Sequence, residues 1–136
     1  MITALDTSVL LDVFLPDPAF GPGSSAAVRA CLREGSLVAC EVVWAEVASV
    51  FPAPEAAREA MARLGVSFSQ ITLDGALAAS RAWRSYRERG GRRDRVAADF
   101  LIAGHALLHA DRLLTRDRGF YRAYFSGLTV LAPSRG

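Results

Sequence analysis

A chain of 136 residues has room for one compact domain with a genuine core, and a composition 51% hydrophobic and 22% charged excludes disorder. A net charge of +2 and a pI near 8.8 are too mild to mark a nucleic-acid binder by charge alone. No stretch approaches the ~20 apolar residues of a membrane span and no basic leader precedes the first strand, so the expectation is a soluble, cytoplasmic chain with no membrane attachment.

The first apolar run, residues 2–6, reads as a buried strand ending at Asp6, with Thr7 or Ser8 capping a helical run from Val9 to Phe14. Pro16-Asp17-Pro18 through Gly21-Pro22-Gly23 reads as a loop, followed by a helix from Ser24 to about Glu34 that Gly35 stops. Ser36 to Cys40 is a second strand, and Val42 to Phe51 a helix carrying Glu46. Pro54 starts a helix to Leu64, ended by Gly65. Val66 to Leu73 alternates as a strand, and Asp74 opens a helix to about Arg89 with Leu77, Trp83 and Tyr86 expected on its inner side. Arg95 to Ala110 is an apolar helix, Leu113 to Thr115 a fourth strand, Phe120 to Phe125 a short helix or turn, and Leu128 to Leu131 a fifth strand. Strands alternating with helices predict one α/β domain spanning 1–136, with a parallel sheet covered on both faces. Cys31 and Cys40 lack CxxC spacing and read as small buried residues.

The acids stand out against this frame. Asp6, Glu46, Asp99 and Asp117 each lie inside or beside an apolar run. A buried carboxylate needs a partner, a proton or a metal. In open α/β sheets, ligands gather at the carboxyl ends of the strands near the switch in strand order, which brings Asp6 and Asp117 to one rim. Each acid also has a plainer explanation: Asp6 and Asp117 as caps, Glu46 as an exposed helix residue, Asp99 as a first-turn acid or the partner of Arg95. Together they point elsewhere. Two carboxylates ~4 Å apart repel by about 4 kcal/mol at an effective dielectric near 20. An all-oxygen set that gathers such charge suits Mg²⁺, or Mn²⁺, rather than zinc.

The segments DTSVLLDVF, VVWAEVASVF, ADFLIAGHA and LLTRDRGF, followed by LTVLAP, resemble in order and spacing the PIN-domain proteins, and among them the VapC ribonuclease toxins of type II toxin–antitoxin pairs. The resemblance implies a three-layer α/β/α sandwich around a central parallel sheet. It implies that Asp6, Glu46, Asp99 and Asp117 form the acidic site, with Asp6 and Asp99 most directly on the metal and Ser8 and Thr115 in support. The implied activity is Mg²⁺-dependent cleavage of an RNA substrate, held in check by a cognate antitoxin protein, in a chain that forms a homodimer. Two rival readings remain: a PIN-like module that binds RNA or a partner without cutting, and a PIN nuclease outside any toxin–antitoxin pair.

All 16 basic residues are arginines, a bias that permits phosphate contacts and is equally expected of a GC-rich coding sequence. The densest run holds Arg84, Arg87, Arg89, Arg92, Arg93 and Arg95; with Arg116 and Arg118 beside Asp117, it supplies candidate RNA-phosphate contacts at Arg92, Arg93, Arg116 and Arg118. Asp12 reads as a solvated helix residue, Asp94 as a cap, and His105 and His109 as packing or surface residues. The apolar group Trp44, Val47, Val50 and Phe51 is the expected seat of an antitoxin helix. A phosphoacceptor receiver domain, which needs a lysine near its last strand, is excluded because the chain has none.

Overall fold

A computed structural model describes residues 1–15, 17–92 and 97–134. Five short strands, β1 (Ile2–Leu5), β2 (Ser36–Ala39), β3 (Val66–Phe68), β4 (Arg112–Leu114) and β5 (Val130–Leu131), pair in parallel in the order β3-β2-β1-β4-β5. Between them run α1 (Thr7–Phe14), α2 (Gly21–Glu34), α3 (Glu41–Ala48), α4 (Pro54–Leu64), α5 (Leu73–Glu88), α6 (Ala97–His109) and α7 (Arg118–Tyr124). From β1 the chain steps outward through β2 to β3. It then returns across the sheet through α5 and α6 to β4 and continues to β5. Right-handed crossovers therefore put α1–α4 on one face and α5–α7 on the other, the expected α/β/α sandwich. The direction of winding reverses between β1 and β4, and the crevice for a ligand opens there.

The central strands β1 and β4 are buried over most of their length, while the edge strand β3 is largely exposed. Leu5, Leu37, Ala39, Leu113 and Leu114 are almost wholly buried, and Val9, Leu10, Val43, Met61, Phe100 and Ala103 close over them from the helices. Cys31 and Cys40 belong to this core as free thiols. On the return crossover, α5 and α6 pack through small residues. A β-carbon on Gly104 would lie 2.4 Å from the Gly75 carbonyl oxygen, so glycine at 104 is what lets the two helices approach.

Several elements depart from the sequence reading. Helix α2 begins at Gly21, inside the Pro/Gly stretch expected to be loop, because a proline in the first turn gives up an N–H that has no helical partner there. Strand β3 spans three residues only, since it is an edge strand and the chain turns away at Ser69 to let Thr72 cap α5. Leu77 does not face inward, whereas Trp83, though partly exposed, stacks its ring on the buried Phe100 at 5.5 Å. The buried stripe of α5 is Gly75, Ala78, Ala79, Ala82 and Tyr86, as close contact with α6 demands. By contrast, α4 has the expected ends, with Gly65 at φ 85° in the left-handed region.

Candidate active site

Asp6 stands one residue past β1, and neither Thr7 nor Ser8 caps α1: Asp6 itself does, its Oδ1 accepting from the Thr7 N–H at 2.8 Å. Its backbone N–H donates to the Leu114 carbonyl at 3.0 Å, which ties it to β4 across the reversal point. Its other oxygen, Oδ2, accepts from the Thr115 hydroxyl at 2.6 Å and from the Tyr121 hydroxyl at 3.4 Å. Asp6 is 7% exposed, and no guanidinium is among its partners in the described residues.

Burial raises the Asp6 carboxyl above its ordinary value; the Thr115 and Thr7 hydrogen bonds oppose the shift, and the charges of Asp99 and Glu46 add to it. The Tyr121 hydroxyl is likewise pushed far up, by burial first and then by the charges of Asp6, Asp99 and Asp117. These mutual effects show the four acids converging on one place.

That place is a hollow of about 410 Å³ lined by Asp6, Thr7, Ser8, Glu46, Asp99, Ile102, Arg116 and Asp117. Asp99 enters from the first turn of α6, on the side favoured by the helix dipole. Asp117 follows β4, and its backbone N–H is taken by the Thr115 Oγ1 at 3.0 Å; Thr115 thus braces two acids at once. Glu46 lies on α3. It is exposed rather than enclosed by its apolar neighbours, and the Thr7 hydroxyl donates to it at 2.6 Å. Four chain segments therefore deliver the four acids to one rim.

A hard divalent cation fits this donor set. Carboxylate and hydroxyl oxygens are the ligands Mg²⁺ prefers. Ser8 also lines the hollow, with its Oγ buried beneath the surface and given no hydrogen-bond partner among the described residues. Among the described residues, no three acidic, His or Cys side chains draw together into a cage of their own.

The sequence-based arginine assignments fare unevenly. Arg116 lines the hollow, Arg118 is exposed at the start of α7 and Arg92 is exposed after α5, whereas Arg93 lies outside the described residues, as do Asp94 and Arg95. Other members of the basic run have local partners: Arg84 pairs with Glu88 at 3.0 Å, Arg87 lies over the Trp83 ring and Arg89 over the Tyr124 ring. Asp12 is not solvated. It is 4% exposed, accepts from the Ser24 hydroxyl at 2.7 Å and forms an ion pair with the Arg116 Nε at 2.9 Å. The sequence reading missed Thr7 and Tyr121 as supports. Thr7 stands between the flagged Asp6 and Ser8, and Tyr121 one helical turn after Asp117, yet nothing in their spacing reveals the contact. His105 and His109 are packing residues, bonded to Ser69 at 2.8 Å and Thr72 at 2.7 Å.

The model of the PIN domain family matches residues 3–126. The chain belongs to the PIN-domain family. Its fold is shared by VapBC2 of Rickettsia felis, solved on a promoter DNA fragment, with a TM-score of 0.76, 15% identity, and 98% of this chain and 100% of that one covered. VapBC-1 of nontypeable Haemophilus influenzae gives a TM-score of 0.74 at 20% identity, covering 97% of this PIN domain chain and 98% of the other. A toxin–antitoxin complex from Klebsiella pneumoniae gives 0.64 at 21% identity, over 98% and 99% of the two chains. Comparison with curated protein sequences gives no match. No helix of the described residues is long and apolar enough to cross a membrane.

Proposed function

We propose that this PIN domain is a Mg²⁺-dependent endoribonuclease, the toxin of a type II toxin–antitoxin pair. The observation that carries the reading is the buried Asp6 carboxylate, supported by hydroxyls, surrounded by the like charges of Asp99 and Glu46, and given no basic partner among the described residues. A binding module gains nothing from concentrated negative charge where a phosphate must approach. A nuclease that recruits a divalent ion does. Mn²⁺ meets the same oxygen donors and is expected to substitute.

Asp6 and Asp99 are the residues assigned to hold Mg²⁺ most directly, with Glu46 and Asp117 orienting its water shell. When bound, the ion supplies Lewis-acid polarisation of a phosphoryl oxygen and a water acidic enough to attack phosphorus. The chain's own part is orientation. Thr115 fixes Asp6 and the Asp117 backbone, Thr7 fixes Glu46, and Tyr121 keeps a neutral hydroxyl on Asp6 through the physiological range. A carboxylate locked by two hydroxyls and a backbone N–H presents its remaining lone pairs in one direction, so little reorganisation is left for the reaction.

The cognate antitoxin is assigned to the groove beside α3. This hollow of about 540 Å³ is lined by Trp44, Ala45, Ala48, Ala57 and Phe68, with Glu55 and Arg58 among its charged residues. Its apolar lining suits an amphipathic helix. Val47 belongs to the core and not to this seat. The resemblance to VapC toxins also leads us to propose a homodimer; sedimentation as a monomer at micromolar concentration contradicts that part.

The test is incubation of the purified protein with total RNA, with and without Mg²⁺, and mapping of new 5′ ends. Cuts that appear only with the ion and vanish in Asp99→Asn are the expected result. No cuts by the intact protein, with RNA binding retained, overturns the nuclease in favour of a binding module.

A further inference from the structure

Arg116 is held in a way that an exposed arginine ordinarily is not. It leaves β4 between Thr115 and Asp117, and its Nε is fixed by Asp12 Oδ2 at 2.9 Å while its guanidinium lies 4.2 Å above the centre of the Phe20 ring. Asp12 is itself fixed by the Ser24 hydroxyl at 2.7 Å. Asp12 of α1, Ser24 of α2 and Phe20 at the start of α2 thus combine to aim one cation. An arginine has five N–H donors in a planar fork; among the described residues its ion pair is made through Nε, to Asp12, with the charge of Asp17 also acting on it, so the fork's terminal nitrogens are the part to meet an outside acceptor.

Arg116 lines the acidic hollow, and it also lines a second hollow of about 140 Å³ formed with Phe20, Ala132, Pro133 and Ser134. It is the wall between the two. A strand of RNA whose scissile phosphate sits over Asp6 and Asp99 must pass this wall or leave on the far side. We propose that Arg116, preset by Asp12 and Phe20, grips the phosphate next to the scissile one and leads the following nucleotide into the hollow beside Phe20 and Pro133. Asp12 is then a positioning residue that acts through Arg116.

This inference rests on the nuclease reading but is tested apart from it. Binding of a fluorescent single-stranded oligoribonucleotide is followed by anisotropy at several NaCl concentrations, with Ca²⁺ in place of Mg²⁺ to favour accumulation of bound strand. Cleavage in Mg²⁺ is followed in parallel. Arg116→Ala weakens binding about tenfold, the low end for a charge-assisted hydrogen bond at a half-exposed site. It lowers the slope of log affinity against log salt by about 0.7, one phosphate contact on a single strand. Arg116→Lys keeps the charge but not the fork, and lies between. Asp12→Asn, which keeps the side-chain volume, loses affinity in the same direction by a smaller factor. In cleavage the same variants raise KM with little change in kcat.

A merely structural role predicts a lower melting temperature with affinity and salt slope unchanged in folded Arg116→Lys and Asp12→Asn; that result overturns the proposal, as does failure of the wild-type chain to bind the strand. Weakened binding by these variants in a wild-type protein that does not cleave supports the phosphate grip and removes the nuclease instead.

Discussion

Asp6 and Asp12 flank and enter the same short helix, both are buried, and their surroundings are opposite. Asp12 has a guanidinium at 2.9 Å and a hydroxyl at 2.7 Å. Asp6 has hydroxyls and a backbone N–H, with the charges of Asp99 and Glu46 pressing on it. A buried charge with an opposite partner belongs to the architecture; one left among like charges is held for something that arrives from outside. The sheet repeats the lesson at its other end, where buried Arg112 donates to Thr3 at 2.9 Å and pairs with Glu34 at 3.1 Å.

The largest expected effect falls on activity. Asp99→Asn should reduce RNA cleavage by a factor on the order of 10²–10³, the scale seen when one preorganised polar group is removed from an active site. A folded variant that cuts at the wild-type rate would place the chemistry elsewhere. Next is Asp12→Ala, which strands the Ser24 hydroxyl and frees the half-exposed Arg116. With solvent screening of the arginine allowed for, we expect a loss of about 2 kcal/mol in unfolding free energy, read from urea denaturation.

Asp6→Asn should do the reverse. Because the Asp6 carboxyl is raised in the folded state, its contribution favours folding below about pH 3.8 and is lost as pH rises through the folded value. At neutral pH in chelator the ionised group is therefore a burden. The asparagine variant should melt higher than wild type while losing cleavage. A lower melting temperature at pH 7.5 would mean that the hydroxyl bonds outweigh burial.

The smallest effect concerns His105, which is 1% exposed and held below its ordinary value of 6.5 by burial and then by the charge of His109. A depressed histidine disfavours the folded state as pH falls below 6.5, because the unfolded chain then binds the proton first. The urea midpoint should decline from pH 7 toward 5.5, and a neutral replacement such as His105→Gln should flatten that decline. An equally steep slope in the variant would assign it to other groups.

The acidic site was legible because charge inside apolar runs is a strong anomaly, and because the parallel-sheet rule collects strand-end residues such as Asp6 and Asp117 at one rim. Helix α4 was legible too, since Pro54 and Gly65 mark its ends chemically. Asp12 was not. It sits in a sequence that reads as solvated, and its partner Arg116 arrives from β4, almost the whole chain later. Thr7 and Tyr121 escaped for the same reason: a hydroxyl bond between distant segments leaves no periodicity behind. Tyr86 was placed correctly on the inner face of α5, but Leu77 was misread, because large apolar residues suggest burial whereas the close approach of Gly75 and Gly104 favours small ones beside them.

The account turns on Asp6 and Asp99 being relieved by a divalent ion. Thermal unfolding of wild type and Asp99→Asn, titrated with MgCl₂ against a constant ionic strength, tests this without any RNA. An ion that binds only the folded chain raises the melting temperature as its concentration climbs past its Kd. The prediction is a rising curve for wild type and a flat one for the variant. Two flat curves, or two that rise together, would contradict it.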